Sequence, residues 1–184
     1  MTFNPASVTT KEIRKEANYA GIRVIFSGLL ERAICPMQVD IGYGDAVTPG
    51  PENATYPVLL NNLPPPQLKV YPRYTVVAEK FEAIVSLGMA NSRLKDYFDL
   101  WILSQHAKFE ESLLVEAIVA TFKRRKTALP INIPLGLSSV FYSDMQKQTQ
   151  WKAFLNKNKL LASSLPETTQ TITSFLMPII KAIQ

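Results

Sequence analysis

The sequence predicts an α+β fold, with an N-terminal antiparallel sheet followed by a C-terminal helical bundle. Three observations carry this expectation. Apolar residues recur at every second position at Ile22, Val24 and Phe26 and again at Met37, Val39 and Ile41, the two-residue period of half-buried strands. Residues 46–73 then contain Pro49, Pro51, Pro57, Pro64, Pro65, Pro66 and Pro72, which rules out a long helix there. From residue 74 onward, apolar residues recur at helical spacing almost to the end. The expected division is residues 1–73, sheet plus proline-rich linker, and residues 74–184, helical bundle.

Taken in order, Val8 to Glu16 is polar and β-branched and fits an edge strand. Asn18-Tyr19-Ala20-Gly21 marks a turn. Ile22, Val24 and Phe26 form one face of a second strand, and Met37, Val39 and Ile41 one face of a third. Short connections make the three an antiparallel meander. Asp40 points away from the face that carries Val39 and Ile41. Gly42 and Gly44 follow it, and close backbone approach or positive φ costs little there. Pro64-Pro65-Pro66 should be extended, as a stiff connection or as a ligand for a proline-binding module. Leu68 to Tyr71 fits a short strand ending at Pro72, and Thr75 is placed to cap the next helix.

That helix contains Val77-Ala78-Glu79-Lys80-Phe81-Glu82-Ala83-Ile84, with Phe81, Ile84 and Val85 facing the core and Lys80 at its margin. Ser92 is a candidate N-cap for the following helix. There Leu94, Tyr97, Phe98, Trp101 and Ile102 share one face, and Lys95, Asp96 and Asp99 the other. Leu100 and Leu103 flank the charged strip, so this helix should be largely buried and its charges paired or facing a polar cleft. Lys95 and Asp99 are spaced i, i+4 and can pair; Lys80 is the candidate partner for Asp96. A helix from Glu110 to Phe122 ends in Lys123-Arg124-Arg125-Lys126, favourable beside a helix C-terminus. Trp151 and Phe154 lie i, i+3 on a later helix, where Trp151 can pack in the core or stack on a base. Ser164-x-x-Glu167 makes a capping box. Ile172, Phe175, Leu176, Ile179, Ile180 and Ile183 form the buried face of the last helix, with a kink expected at Pro178. There are no internal repeats.

Composition narrows the chemistry. The 184 residues are 47% apolar and 19% charged, values of a globular chain able to bury a core. Cys35 is the single cysteine, which excludes an internal disulfide and fits a cytoplasmic setting. One histidine, His106, leaves no basis for a zinc site of His and Cys, and no motif supports it as part of a catalytic triad. No apolar run approaches the roughly 18 residues of a membrane span, and no leader is visible, so no membrane partner is expected. The net charge is +5; residues 1–100 carry ten Lys/Arg and ten Asp/Glu, residues 101–184 ten and five. The excess is therefore confined to the second half. It fits a nucleic-acid footprint, and equally a basic protein with no such partner.

Ala78-Glu79-Lys80 with Lys95-Asp96-x-x-Asp99 resembles the lysine and KD-x-x-D segments of the AbiEii/AbiGii toxin family of nucleotidyltransferases. Further segments match in order: Tyr19-Ala-Gly-Ile-Arg-Val-Ile, Gln38-Val-Asp-Ile-Gly-Tyr-Gly-Asp45, Thr121 to Thr127, Gln150-Trp-Lys-Ala-Phe154 and Phe175-Leu-Met-Pro178. The resemblance covers most of the chain from about Val8. It implies that residues 1–73 are part of a nucleotidyltransferase domain. It also implies Mg²⁺, an NTP donor, an RNA acceptor such as a tRNA 3′ end, and a cognate antitoxin in a bacterial type IV system.

Carried onto this sequence, the resemblance makes Asp40 a metal-binding and catalytic carboxylate, Lys80 and Lys95 phosphate ligands, and Asp96 and Asp99 members of the catalytic site. Each has a plainer alternative. Asp40 can be a strand-end carboxylate, and Asp45 can act in a turn. Lys80 can be a helix lysine paired with Glu79 or Glu82. Asp96, Asp99 and Lys95 can form a structural network. Lys123, Arg124, Arg125 and Lys126 can hold an RNA backbone or form a solvated cap. The sequence departs from the family in one respect: it contains no Asp-x-Asp, the pair that supplies the first two metal carboxylates. The expectation is therefore a toxin or a truncated part of one, with a separate chain as one source of the Gly-rich and D-x-D segment. The alternative is a non-catalytic remnant that binds RNA or protein.

Overall fold

The computed structural model describes residues 1–13 and 21–183, which fall into two compact units, Met1–Asp45 and Ala46–Gln184. The first is a three-stranded antiparallel sheet in the order β1-β2-β3, made of β1 (Thr2–Ile13), β2 (Gly21–Leu30) and β3 (Ala33–Gly42). This is the expected meander and, with the helices below, the expected α+β class. The strand proposed for Val8 to Glu16 begins earlier, at Thr2, because β2 is long enough to pair there (Thr2 with Leu29). The register slips between Asn4 and Thr9, where Pro5 removes a donor and a bulge absorbs it. Asn4 accepts from the Ala6 N–H, and the Ser7 hydroxyl accepts from Ser27 N–H at 2.9 Å, so side chains replace the missing ladder bonds. Residues 14–16 of the proposed strand, and the turn at residues 18–20, lie outside the described residues.

The second unit begins before the proposed boundary at residue 73. Glu52–Thr55 (β4) and Gln67–Val70 (β5) form an antiparallel hairpin, so the proline-rich segment is more than a linker. It is tied to the first helix, α1 (Arg73–Leu87), at Thr48. The Thr75 hydroxyl accepts from Thr48 N–H at 2.9 Å and donates to Thr48 O at 3.0 Å. Thr75 is therefore no N-cap; Pro72 starts the helix, since its fixed φ of −64° suits the entry turn. The Ser92 cap is corrected likewise. The second helix, α2 (Leu94–His106), follows Arg93, whose N–H donates to the Asn91 side chain at 2.8 Å.

The remaining helices are α3 (Glu111–Arg125), the short α4 (Ser139–Tyr142), α5 (Met145–Asn158) and α6 (Leu165–Ile183). Asp144 caps α5 by accepting from Lys147 N–H at 2.9 Å. Ser164 and Glu167 form the expected capping box at the start of α6, which runs through Pro178. Their shared core contains Val77, Phe81 and Ile84 of α1, Tyr97 and Leu100 of α2, Ile118 and Phe122 of α3, Phe141, Trp151, Ile172 and Leu176. Trp151 is 2% exposed and donates its indole N–H to Ser163 O, so it is a core residue and offers no face to a base. No helix among the described residues is long and apolar enough to cross a membrane.

One close approach fixes how α1 and α2 meet. Gly136 sits in a 3₁₀ turn (Leu135–Leu137), and its carbonyl accepts from the buried Tyr97 hydroxyl at 2.9 Å. A Cβ there would lie 2.7 Å from Ile84 O and 3.1 Å from the Tyr97 hydroxyl. Gly136→Ala is therefore expected to destabilise the protein by about 1–3 kcal/mol, measured by urea unfolding. An unchanged midpoint would mean that the turn can back away at no cost. Burial, and then the Asp96 charge, push the Tyr97 pKa well up, so this hydroxyl stays a neutral donor.

Candidate functional site

Lys80 lies on α1 between residues that are fully buried, Val77, Ala78, Phe81 and Ile84. That spacing brings its stem to the edge of the core, and its side chain is 15% exposed. On α2, Leu94, Tyr97 and Leu100 pack inward and carry Asp96 with them to 5% exposure. The two helices thus present an amine and a carboxylate to each other at the core margin. Lys80 Nζ donates to Asp96 Oδ1 at 2.7 Å and lies 2.7 Å from Asp99 Oδ2. Lys95 Nζ donates to the same Asp99 oxygen at 2.6 Å. Both expected pairings, Lys95 with Asp99 and Lys80 with Asp96, are present, and Lys80 is shared rather than exclusive.

A fifth member had not been singled out. Arg93 Nε lies 2.7 Å from Asp96 Oδ2, i, i+3 on the chain. That contact is ionic only: the oxygen is buried and has no aligned hydrogen-bond donor. The i, i+3 spacing was a signal that could have found Arg93. Burial alone would lower the Lys80 pKa; the hydrogen bonds and charges of Asp96 and Asp99 outweigh it, and the net shift is upward. Lys80 is a firmly held cation. Beside it lies a cleft of about 370 Å³, lined by Tyr71, Val76, Glu79, Lys80, Arg93, Lys95 and Asp99.

The basic run at the end of α3 divides. Lys126 adopts a left-handed conformation, φ 57°, and Thr127 N–H returns to Phe122 O at 3.0 Å, ending the helix. The turn directs Arg125 inward. Its Nη1 donates to Glu82 Oε2 at 2.7 Å, and Nη2 lies 3.4 Å from Glu79 Oε1. Glu82, 5% exposed, also accepts from Thr127 Oγ1 at 2.6 Å. Lys123 and Lys126 are exposed and Arg124 is half-buried. Arg125 thus serves the helix packing. Glu82 and Arg125 are 43 residues apart, and no local pattern announces such a pair.

A family model for the nucleotidyl transferase AbiEii toxin of type IV toxin–antitoxin systems matches residues 3–173. The chain belongs to the AbiEii family. The match runs through both compact units, so the sheet and the helices are both AbiEii elements. A type IV toxin–antitoxin setting implies a cognate antitoxin as partner. No curated protein and no solved structure matches the chain.

Asp40, the AbiEii residue proposed for metal, is on β3 in the first unit. It stands directly opposite Arg23, and its two oxygens accept from Arg23 Nε and Nη2 at 2.7 Å each. Both oxygens that would face Mg²⁺ are thereby engaged by a cation. Among the described residues no three His, Cys, Asp or Glu side chains gather as a metal site. The described residues therefore do not by themselves fit a resident Mg²⁺ centre, and no chemical step is assigned to one. Gly44 takes φ 78°, the conformation anticipated after the third strand.

Proposed function

We propose that this AbiEii chain is a nucleotidyltransferase toxin, or the donor-binding part of one, that transfers a nucleotide from an NTP to an RNA acceptor of tRNA type. The observation that carries this reading is the Lys80 network at the cleft. In such a transfer an RNA hydroxyl attacks the α-phosphorus, the bond to the bridging oxygen breaks, and pyrophosphate leaves. The catalyst's task is positioning and charge neutralisation. Lys80, held protonated between Asp96 and Asp99, supplies a fixed positive charge for the polyphosphate or the leaving pyrophosphate. Asp96 is too buried to touch substrate and acts by positioning Lys80. Asp99 and Lys95 are more exposed and can exchange partners when phosphate arrives. Mg²⁺ would come with the triphosphate, coordinated by its oxygens.

The second unit carries the charge that suits RNA. Residues 46–184 hold fifteen Lys/Arg against ten Asp/Glu, and residues 1–45 five against five. Lys123 and Lys126 give this excess an exposed place on α3.

The test is equilibrium binding and transfer by the purified chain. NTP binding that falls sharply in Lys80→Ala is expected, as is tRNA binding that falls in Lys123→Ala with NTP binding intact. Absence of NTP binding in the wild type would refute the reading. Transfer to tRNA by this chain alone is expected to be slight, since no Asp-x-Asp is present. Robust labelling of tRNA from an NTP, abolished by Asp40→Ala, would show that the site is completed another way. The engagement of Asp40 by Arg23 favours a second reading, an RNA- or antitoxin-binding module without catalysis. That reading predicts tRNA or antitoxin binding with no NTP affinity.

A further inference from the structure

The Lys80 cleft is lined by cations and by an aromatic residue, Tyr71, and the proposed donor site accounts only for the cations. Resting on that site, we infer that Arg93 is a second phosphate ligand and that Tyr71 is the surface on which the nucleobase of the donor stacks.

Of the cations, Lys80 already serves two carboxylates and Lys95 one. Among the described residues the Arg93 guanidinium is held by an ionic contact through Nε, and its side chain is 55% exposed. A guanidinium anchored at Nε keeps its terminal amino groups in one plane, the fork that matches two phosphate oxygens. Arg93 also immediately precedes α2, whose N-terminal end favours anions. The cleft thus holds three cations with different freedom: one fixed at the core margin, two able to turn toward a ligand.

Tyr71, the aromatic residue of the lining, is 50% exposed and follows β5 directly. Pro72 behind it restricts Tyr71 to extended backbone, so the ring's starting direction is set before any ligand binds. An aromatic side chain and a cationic cluster lining one cleft match a nucleotide, with a flat base at one end and polyphosphate at the other. The size agrees: about 370 Å³ lies near the lower end of the ~300–1,000 Å³ of small-molecule pockets. It suits one nucleotide and leaves the RNA acceptor outside. Stacking is tolerant of base identity, since every base has a π-face. Tyr71 therefore contributes affinity and little choice among the four NTPs.

The experiment uses the full chain and isothermal titration with ATP, CTP and inorganic tripolyphosphate. Arg93→Gln is expected to weaken all three by about tenfold, the scale of one lost charge-assisted contact. Tyr71→Ala is expected to weaken ATP and CTP by about tenfold and leave tripolyphosphate unchanged, while Tyr71→Phe keeps wild-type affinity. Thermal unfolding of each variant separates lost binding from lost fold, and Arg93→Lys, which keeps a cation near Asp96, replaces Arg93→Gln if the latter does not fold. Full affinity in Arg93→Gln and Tyr71→Ala alongside loss in Lys80→Ala would overturn this inference and leave the Lys80 reading standing. Equal weakening of tripolyphosphate and NTP by Tyr71→Ala would overturn the stacking role. Failure of the wild type to bind any of the three would overturn both.

Discussion

Lys80→Ala is expected to lower the unfolding free energy by about 3–5 kcal/mol, the scale of an uncompensated buried charge. The effect is concentrated at Asp96. Asp99 is 23% exposed and keeps Lys95 at 2.6 Å, so it loses one of two partners and still reaches water. Asp96 is 5% exposed, and its remaining cation, Arg93, makes no aligned hydrogen bond to it. Lys80→Ala/Asp96→Asn should therefore recover part of the loss, because the second change removes the stranded charge. Urea unfolding of the two single variants and the double variant measures this directly. Simple additivity would mean that the two side chains are not coupled. The pH dependence has a definite sign. Lys80 is raised from its ordinary 10.5, so its contribution is complete below that value and is lost only as pH rises through the raised one. The stability difference between wild type and Lys80→Ala should hold constant through the neutral range and shrink in strong alkali.

Much of this network was legible in the sequence, for a physical reason. A helix as apolar as Leu94 to His106 leaves little solvent for Asp96 and Asp99, so the search for their cations is forced, and the choices within reach are few. Helical spacing supplied Lys95, and the margin position of Lys80 on the preceding helix supplied the other. The second and third strands were legible because Ile22, Val24 and Phe26, and again Met37, Val39 and Ile41, recur with the two-residue period of a strand. Helix starts were less so. Thr75 and Ser92 are good capping residues by type, yet the chain uses Thr75 to hold Thr48 and leaves capping near Arg93 to Asn91. A cap residue's type says what it can bond, and tertiary packing decides what it does bond. The hairpin inside the proline-rich segment was half visible, since proline counts against a strand only where a ladder donor is needed.

The basic run at residues 123–126 shows the other limit. In sequence its four cations are equivalent; in the structure the left-handed turn at Lys126 sends Arg125 toward α1 and leaves Lys123 outside. Replacing Arg125 therefore tests packing. Arg125→Ala is expected to cost about 3 kcal/mol or more, because Glu82 would remain 5% exposed with only the Thr127 hydroxyl to answer its charge. Glu79, at 29% exposure, can turn to water and should add little. Arg125→Lys should rescue only partly: one ammonium cannot reproduce a guanidinium that bonds Glu82 through one amino group and approaches Glu79 through another. Lys123→Ala, one turn earlier and exposed, should stay within about 0.5 kcal/mol of wild type. Chemical unfolding of the three variants ranks them. Equal, small effects for Arg125→Ala and Lys123→Ala would show that the Arg125–Glu82 pair does not hold α1 to α3, and would return Arg125 to the surface charge available to RNA.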